Sequence, residues 1–528
     1  MWRTVCKAVS LLTACAILLG VTAGCGRSEE EQCRRLFEKG IAVENNITIE
    51  NLPDDTAADC TAYYLRIDGL KDQAVEDRIN GRIREVLEEL RDPAYVPPYR
   101  GIALKFRDCG DAPKRLDIYF DDCFNCNNIL SVNANCHVLF RTEANDDVLF
   151  SYMFSIPMNF DLTTGQELAL KDLFSPGTDY IELVNRAVDQ CLMKADFDGS
   201  TEEYGEYSQI KLVSPFRTVK PGQKFRMNED GSISLYIDYD TPEFQTDYYR
   251  ELLSLPVDAF GSAYMPFRAA GRTAEIYESE EIQCRFLYDY SSNRVEQSND
   301  SESDWYYGIY KYRDGTPEAV IRQIDALTFE WERLPLGYED FRKRAAKEIG
   351  KKKGMRLSAM VTTNHTFCQS DGYYGFTRQV YLSAETEDDP EPKYYSLNYR
   401  SCRCFDSNGN PVDVRSLFVD PDKADALLEN AIAENIYAIA KEDGSAPELS
   451  DEQIRSLIRR LLPHIDGVAP EAASLNISYD MTDAEIDGMI KEWQNAEEPD
   501  DAVRAGLMGA KYSDLGCGNL VFFRDVFA

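Results

Sequence analysis

The side chains of this sequence that could do chemistry are 3 histidines, 15 cysteines and 92 carboxylates. His137, His365 and His464 lie far apart, and none belongs to a His-Glu-x-x-His zinc pattern. Neither a Gly-x-Ser-x-Gly nucleophile elbow nor a phosphate-binding loop occurs. Paired carboxylates could do acid–base work in a cleft, but with so many acidic residues any pair chosen from sequence is arbitrary. The sequence therefore predicts no catalytic residue, no metal and no cofactor, and we expect that the protein is not an enzyme.

One cysteine has a specific context. Arg3 and Lys7 precede an uncharged apolar run over residues 8–21, which is short for a membrane-spanning helix and typical of a secretory signal. The run ends in Thr-Ala-Gly-Cys25, which resembles a bacterial lipobox although Thr22 stands where Leu is usual. We therefore expect a signal peptide over residues 1–24 and a lipid on Cys25, with localisation on the extracytoplasmic face of the cell membrane. Ordinary secretion is the alternative.

The cysteines that follow Cys25 are even in number, which is compatible with disulfides in an exported chain. Connectivity cannot be read from their spacing. Cys123 and Cys126, with Cys136 after them, could also hold zinc or act as a redox pair, but a structural disulfide is favoured outside the cell. The candidate disulfide cysteines are Cys33, Cys60, Cys109, Cys123, Cys126, Cys136, Cys191, Cys284, Cys368, Cys402, Cys404 and Cys517.

A stretch that occurs twice organises the chain. Residues 160–174 and 405–418 each begin with Phe-Asp, continue through a turn with Gly and end in Leu-Phe, and the apolar residues beyond them match at a constant offset. The second copy, Asp406 to Asp413, has some features of a calcium loop, but its Gly is misplaced for an EF-hand and the first copy lacks the oxygen ligands. A hairpin turn explains both copies, so the turn is favoured.

The surrounding patterns predict an α+β fold with two related units, each an antiparallel sheet with packed helices. In the first unit, Asp72 is expected to cap an amphipathic helix that precedes several alternating strands. In the second, residues 291–304 are predicted to be a polar loop, and residues 518–523 to replace the closing strand at 233–237. The predicted boundaries are a tether over 25–55, a first unit over 56–270 and a second, degenerate unit over 275–528 with a helical insertion at 445–495.

The formal net charge of −35 makes nucleic acid a poor partner, because phosphate contacts need the opposite sign. A cationic ligand is the natural electrostatic partner, mainly through steering of its approach. The alternative is that the acidity only keeps an exposed protein soluble.

The first unit resembles a known bacterial extracytoplasmic module. The resemblance is carried by Arg-Ile-Asp-Gly-Leu at 66–70, Arg-Ile-Asn at 78–80, the turn at 160–165 and Lys-Asp-Leu-Phe at 171–174. That module is a domain of unknown function in the ectodomain of the lysozyme-sensing anti-sigma-V factor, and it also stands beside the catalytic domain of some peptidoglycan deacetylases. The deacetylase Asp-His-His metal site has no counterpart here, so the resemblance implies the accessory module alone. Lysozyme is strongly cationic, which would suit the acidic surface.

Together these patterns predict a lipid-anchored, non-catalytic binding protein outside the cytoplasm. Its ligand would be a cationic protein or a cell-wall glycan, and it would contact the membrane through the lipid anchor. Two alternatives stay open: a cell-wall hydrolase or deacetylase of unrecognised type, and a spacer in an envelope assembly.

Overall fold

The computed structural model confirms the α+β class, with helices packed on antiparallel and mixed sheets. The residues that it describes are 29–54, 60–92, 95, 114–141, 148–195, 210–212, 214–217, 219–236, 244–246, 252–268, 283–286, 293–299, 303–310, 316–329, 343, 345–347, 349–350, 355–366, 372–386, 394–442, 450–470, 474–479 and 507–523. 

The helices and strands are numbered here in chain order. The helices are α1 (Glu29–Glu38), α2 (Gln73–Arg91), α3 (Tyr180–Ala195), α4 (Glu318–Phe329), α5 (Ala424–Glu442), α6 (Asp451–Leu461) and α7 (Tyr512–Leu515). The strands of the first half are β1 (Ile41–Glu44), β2 (Thr48–Pro53), β3 (Cys60–Asp68), β4 (Lys114–Cys126), β5 (Ile129–Arg141), β6 (Val148–Asp161), β7 (Gln166–Glu167), β8 (Ile210–Leu212), β9 (Phe225–Met227), β10 (Ile233–Tyr236), β11 (Phe244–Thr246) and β12 (Leu252–Leu255). Those of the second half are β13 (Gln283–Phe286), β14 (Asn293–Asn299), β15 (Ser303–Tyr310), β16 (Met355–Thr366), β17 (Tyr373–Thr386), β18 (Tyr394–Asp406), β19 (Ile465–Pro470), β20 (Ser474–Tyr479) and β21 (Leu507–Lys511).

The centre of the first half is the antiparallel set β4-β5-β6, with β3 parallel to β4 at one end. Helix α2 begins as predicted, because the Asp72 carboxylate accepts a hydrogen bond from the Ala74 N–H at 2.9 Å. Its apolar stripe, from Val75 to Leu90, is buried against one face of the sheet. Part of the other face packs against α3 and the small sheet β9-β10-β12.

The second half repeats this order of elements. Strand β15 runs parallel to β16, α4 lies between them in sequence, and β16-β17-β18 form an antiparallel set. Strand β14 pairs with β15 as β2 pairs with β3. Residues 291–304 are therefore not simply a polar loop, because most of them belong to the β14–β15 hairpin. The helix expected at Phe341, Ala345 and Ile349 is present at Ala345 and Ile349, which are buried, while Phe341 lies outside the described residues.

The ends of the two halves also correspond, but differently from the sequence-based expectation. The sheet β19-β20-β21 takes the place of β9-β10-β12, so the predicted insertion contains two strands of a repeated sheet as well as helix α6. Leu520 bridges Phe418 as Tyr264 bridges Phe174. Residues 517–523 therefore correspond to the end of the first unit and not to its strand β10. The prediction that residues 518–523 replace the closing strand was wrong.

The predicted tether at 25–55 is wrong for residues 29–53, which form α1, β1 and β2. Strand β1 lies between the two halves and pairs antiparallel with β13. Ile41 and Val43 belong to the core of the second half, whereas Ala42, between them, belongs to a core of the first. Successive side chains of a strand point to opposite faces, so this uninterrupted apolar run places one face of β1 in each core.

Candidate functional site

The repeated glycine of the organising stretch packs against the start of a helix in both halves. Gly165 and Gly409 have φ values of 69° and 80°. A Cβ atom on Gly165 would meet the Val75 carbonyl oxygen of α2 at 3.0 Å, and one on Gly409 would meet the Ala319 carbonyl oxygen of α4 at 2.9 Å. Each site therefore needs glycine for two reasons: the left-handed backbone and the close approach to the helix.

The aspartate of each copy organises the same turn. The Asp161 carboxylate accepts from the N–H and the hydroxyl of Thr163, at 2.9 and 2.6 Å. The Asp406 carboxylate accepts from the backbone N–H of Asn408 and from the N–H and side chain of Asn410, at 2.8–2.9 Å. The hydrogen bonds from Asn410 lower the pKa of Asp406. The hairpin-turn interpretation is confirmed in both copies, because the Asp161 and Asp406 carboxylates accept hydrogen bonds from groups within their own turns.

The other residues that carry the family resemblance also hold the fold. The Asn80 side chain bonds both the N–H and the carbonyl oxygen of Ile67, each at 2.9 Å, beyond the part of β3 that pairs with β4. The buried Glu76 carboxylate accepts from the N–H groups of Gly69 and Leu70 at 2.9 and 3.0 Å. These contacts fix the corner between β3 and α2, so the polar groups of Asn80 and Glu76 serve the fold.

A groove of about 430 Å³ runs between α2 and the turn of the first copy. Arg82 lies in it, 3.2 Å from Glu167, 3.4 Å from Glu85 and 3.3 Å from Glu89. Partial burial opposes the charge of Arg82, but Glu167 and Glu89 outweigh it and raise its pKa. Because the guanidinium already has three carboxylate neighbours, the groove is an ion-pair network and offers little to an anionic ligand.

The side of the β4-β5-β6 set that faces away from α2 is buried at one end and solvent-exposed at the other. At the buried end, the Tyr236 hydroxyl donates to Asn133 at 2.8 Å, and Asn133 donates to Asn135 at 2.8 Å. Asn135 in turn donates to Asp121 at 2.6 Å and accepts from the Ser155 hydroxyl at 2.7 Å. A continuous polar network thus leads from the core to a surface that we call the open face, formed by Asp117, Tyr119, His137, Ser151 and Met153.

The open face brings together a serine, a histidine and an aspartate from three neighbouring strands. The Ser151 hydroxyl lies 2.9 Å from Nε2 of His137, and Nδ1 of His137 lies 3.9 Å from Oδ2 of Asp117. This is the order of groups in a Ser-His-Asp triad. The His–Asp distance is too long for a hydrogen bond, however, and the side chains of His137 and Asp117 are 30% and 32% exposed.

Tyr119 and Met153 are the large hydrophobic side chains of the open face, and they are 38% and 54% exposed. The Tyr119 hydroxyl donates to the Met153 sulfur at 3.7 Å. Sequence reasoning missed both, and it missed Asp117 and Ser151 as neighbours of His137. The alternation of β4, β5 and β6 places each of them on one face, but only the cross-strand register places them side by side.

The predicted disulfides are absent among the described cysteines, where Cys60, Cys123, Cys126, Cys136, Cys284, Cys402, Cys404 and Cys517 are free thiols. Burial raises the pKa of Cys126 to about 12 and that of Cys123 to about 11, so neither is the activated thiolate that a redox pair needs. No group of three or more metal-ligating side chains occurs in the described part of the chain. Cys402 and Cys404 point to the same side of β18 and are not joined, and Cys402 donates to the Asn476 carbonyl oxygen at 3.2 Å.

Several predicted residues fall where little is described. Cys25, Cys109 and Cys368 lie outside the described residues, as does the second helix expected in the insertion. Cys33 and Cys191 lie in α1 and α3, without described side chains. His365 lies in β16, and His464 is half-buried in a 3₁₀ turn after α6. Within the described ranges, no helix is both long and apolar enough to cross a membrane.

Comparisons with known proteins identify a distant likeness only. No protein-family model matches the chain, and no curated protein sequence matches it. A crystal structure of a DUF3298 family member from Bacteroides fragilis is similar over 41% of this chain and 91% of its own, with 15% identity and a TM-score of 0.27. A DUF3298 family protein from Pseudomonas aeruginosa is similar over 43% of this chain and 99% of its own, with 14% identity and a TM-score of 0.27. DUF3298 is a family of unknown function, and a likeness this weak identifies no ligand.

Proposed function

We propose that this protein is a non-catalytic binding protein, anchored outside the cytoplasm by a lipid on Cys25, that holds a cationic protein on its open face. The observation that carries the proposal is the exposure of Tyr119 and Met153 beside carboxylates, on a sheet face whose other end is buried. Exposed aromatic side chains that are rigidly supported from below are frequent binding hot spots. A cell-wall glycan is the alternative ligand.

Charge favours a cationic protein. Asp117 lies on the open face, and Asp121 extends it toward the buried network. Arg115 lies 3.2 Å from Asp117 and offsets part of this negative charge, and the chain as a whole has a formal net charge of −35. Exposed carboxylates add little affinity each, but together they raise the rate of association with a cation and make it sensitive to salt.

Binding of lysozyme, as a cationic probe, to the purified ectodomain tests the proposal. We expect Tyr119→Ala to weaken binding by about tenfold or more, the loss typical of an interface hot spot. Tyr63→Ala is the matched control, because Tyr63 is a strand tyrosine that is 44% exposed outside the open face. Asp117→Asn should lower the association rate and flatten its salt dependence. Equal effects of the two tyrosine variants would refute the open face as the site, and insoluble peptidoglycan as a second probe distinguishes the glycan alternative.

The anchor has a separate test. Cells that express the full chain are labelled with a radioactive fatty acid and separated into membrane and soluble fractions. We expect label in the wild-type protein and none in Cys25→Ala, which should also leave the membrane fraction. Unlabelled wild-type protein would refute the lipid without affecting the binding result.

A second candidate function, acyl transfer at Ser151, is supported by the 2.9 Å contact with His137. It ranks below binding because Asp117 is too far from His137 to orient it by a hydrogen bond and because water reaches all three groups. Hydrolysis of a small activated ester and labelling by a fluorophosphonate are the measurements. Turnover that is lost in Ser151→Ala, with Ser155→Ala as the neighbouring control, would place acyl transfer first.

A further inference from the structure

Two cysteines that are 233 residues apart in sequence meet in the core of the second half. Cys284 lies in β13, and Cys517 lies in the 3₁₀ turn that follows α7. The Cys284 backbone N–H donates to the Cys517 sulfur at 3.3 Å, which places that sulfur beside Cys284. Both residues are buried, at 1% and 3% exposure.

We propose that Cys284 and Cys517 form a disulfide bond in the mature protein. The inference rests on the proposed location outside the cytoplasm, since disulfides persist in oxidising compartments. A sulfur that already accepts a hydrogen bond from the backbone of the other cysteine lies close enough for side-chain rotation to form an S–S bond of about 2.05 Å. Cys402, another buried thiol of the second half, has a different partner, because it donates to the Asn476 carbonyl oxygen. Among the cysteines whose side chains the structure describes, Cys126 is a further thiol near Cys284, and it is the competitor that the experiment must exclude.

The bond would fasten the end of the second half to β13, the strand that pairs with β1 between the two halves. Cys284 pairs with Val43 of β1, and β1 contributes side chains to both cores. Cys517 precedes Leu520, which bridges Phe418 at the end of the second organising stretch. A link between these points ties the end of the second half to the β1–β13 strand pair, at which the two halves meet. Cross-links between residues far apart in sequence restrict the unfolded chain most.

The chemistry is ordinary thiol–disulfide exchange with a small-molecule or protein disulfide as oxidant. Interaction with Cys284 lowers the pKa of Cys517, whereas interaction with Cys517, together with burial, raises the pKa of Cys284. Cys517 is therefore the thiolate that attacks one sulfur of the oxidant and expels the other as a thiolate. Cys284 then loses its proton and attacks the Cys517 sulfur, which expels the second thiolate. Two cysteine thiols are oxidised, and one external disulfide is reduced to two thiols.

The experiment refolds the purified ectodomain with oxidised and reduced glutathione, blocks free thiols with an alkylating reagent and maps the linked peptides by mass spectrometry. We expect a peptide pair that contains Cys284 and Cys517, and the same pair in the Cys126→Ala variant. A link from either residue to Cys126, or alkylation of both as free thiols, would overturn the proposal. This outcome does not depend on lysozyme binding, so failure of the proposed function and failure of the disulfide are distinguishable.

A stability measurement covers the case in which a variant folds poorly. Reduction with dithiothreitol should lower the urea midpoint of the wild-type protein and of Cys126→Ala. The double variant Cys284→Ala/Cys517→Ala should unfold at the same urea concentration with and without reductant. An equal reductant-dependent shift in that double variant would assign the effect to another cysteine pair and refute the proposal.

Discussion

Replacement of Gly409 by alanine tests why both copies of the organising stretch have a glycine at this position. The residue has a φ of 80°, and a Cβ atom there would lie 2.9 Å from the Ala319 carbonyl oxygen and 3.1 Å from its carbonyl carbon. A left-handed backbone costs a non-glycine residue about 1–2 kcal/mol. Forcing a methyl group against the backbone of α4 should cost about 1–3 kcal/mol more, as in other overpacked sites. We therefore expect Gly409→Ala to lower the free energy of unfolding of the second half by about 2–5 kcal/mol.

A control substitution separates the cost of the left-handed backbone from the cost of the contact with Ala319. Gly350 has a φ of 78°, and a Cβ atom there would meet nothing within 4 Å. Gly350→Ala should therefore cost only the backbone term, about 1–2 kcal/mol. If both variants shift the urea midpoint equally, the contact with Ala319 contributes nothing, and the repeated glycine is needed only for its turn.

Tryptophan fluorescence is the appropriate assay, because a two-unit chain need not unfold in one step. Of the 4 tryptophans, Trp2 is in the predicted signal peptide, and Trp305, Trp331 and Trp493 are all in the second half. In the mature chain the fluorescence transition therefore reports the second half alone. Gly165→Ala, against Gly177→Ala as its open-space control at a φ of 84°, should instead move the part of the far-ultraviolet circular dichroism transition that fluorescence does not report.

Three further predictions concern the corners and the connection of the halves. Asn80→Asp replaces a donor to the Ile67 carbonyl oxygen by an acceptor. The substitution should destabilise the first half by about 2–3 kcal/mol at neutral pH, and by less near pH 4, where the new carboxyl can be protonated. Urea titrations at both pH values measure the difference. Burial raises the pKa of Glu44, and Arg285 opposes this effect. The folded protein therefore binds more protons at Glu44 than the unfolded chain does. The free energy of unfolding should fall as the pH rises from the pKa of Glu44 in the unfolded chain through its pKa in the folded protein. Glu44→Gln should therefore raise the urea midpoint at pH 7 and not below the unfolded pKa, and a lowered midpoint at pH 7 would show that the attraction to Arg285 dominates. A fragment of the second half alone should lack cooperative unfolding until a peptide of residues 29–53 is added, because that segment supplies part of its core; cooperative unfolding without the peptide would contradict the shared role of β1.

Local patterns predicted the local structure well. The cap at Asp72, the apolar stripe of α2 and the alternation of β4 to β6 are set by neighbours in sequence, and each is confirmed. The structure likewise confirms the turn of each organising stretch, because the Asp, Gly and turn spacing that specify it are contained within a few residues. These features need no information about the rest of the chain.

Features that depend on distant pairing were not predictable. The charges around residues 28–31 favoured a tether, whereas the uninterrupted apolar run at 41–43 was the signal of a strand buried on both faces. Its partner β13 lies far along the chain, and no local pattern names it. The contact of Cys284 with Cys517 likewise joins segments that are distant in sequence, and the open face depends on the register between neighbouring strands, which the pattern within each strand does not fix.

The residues that carry the family resemblance are different from those that form the open face. This difference explains why the resemblance does not identify a ligand. The Asn80 side chain hydrogen-bonds to the backbone of Ile67, and Gly165 leaves room for the start of α2, so both residues hold the corner between α2 and the sheet. A sequence pattern made of such residues specifies the fold, and proteins that share it can differ in what they bind. Tyr119 and Met153 lie outside every stretch that carries the resemblance, and both are exposed to solvent. Substitutions in the motif should therefore change stability, and only those on the open face should separate binding from folding.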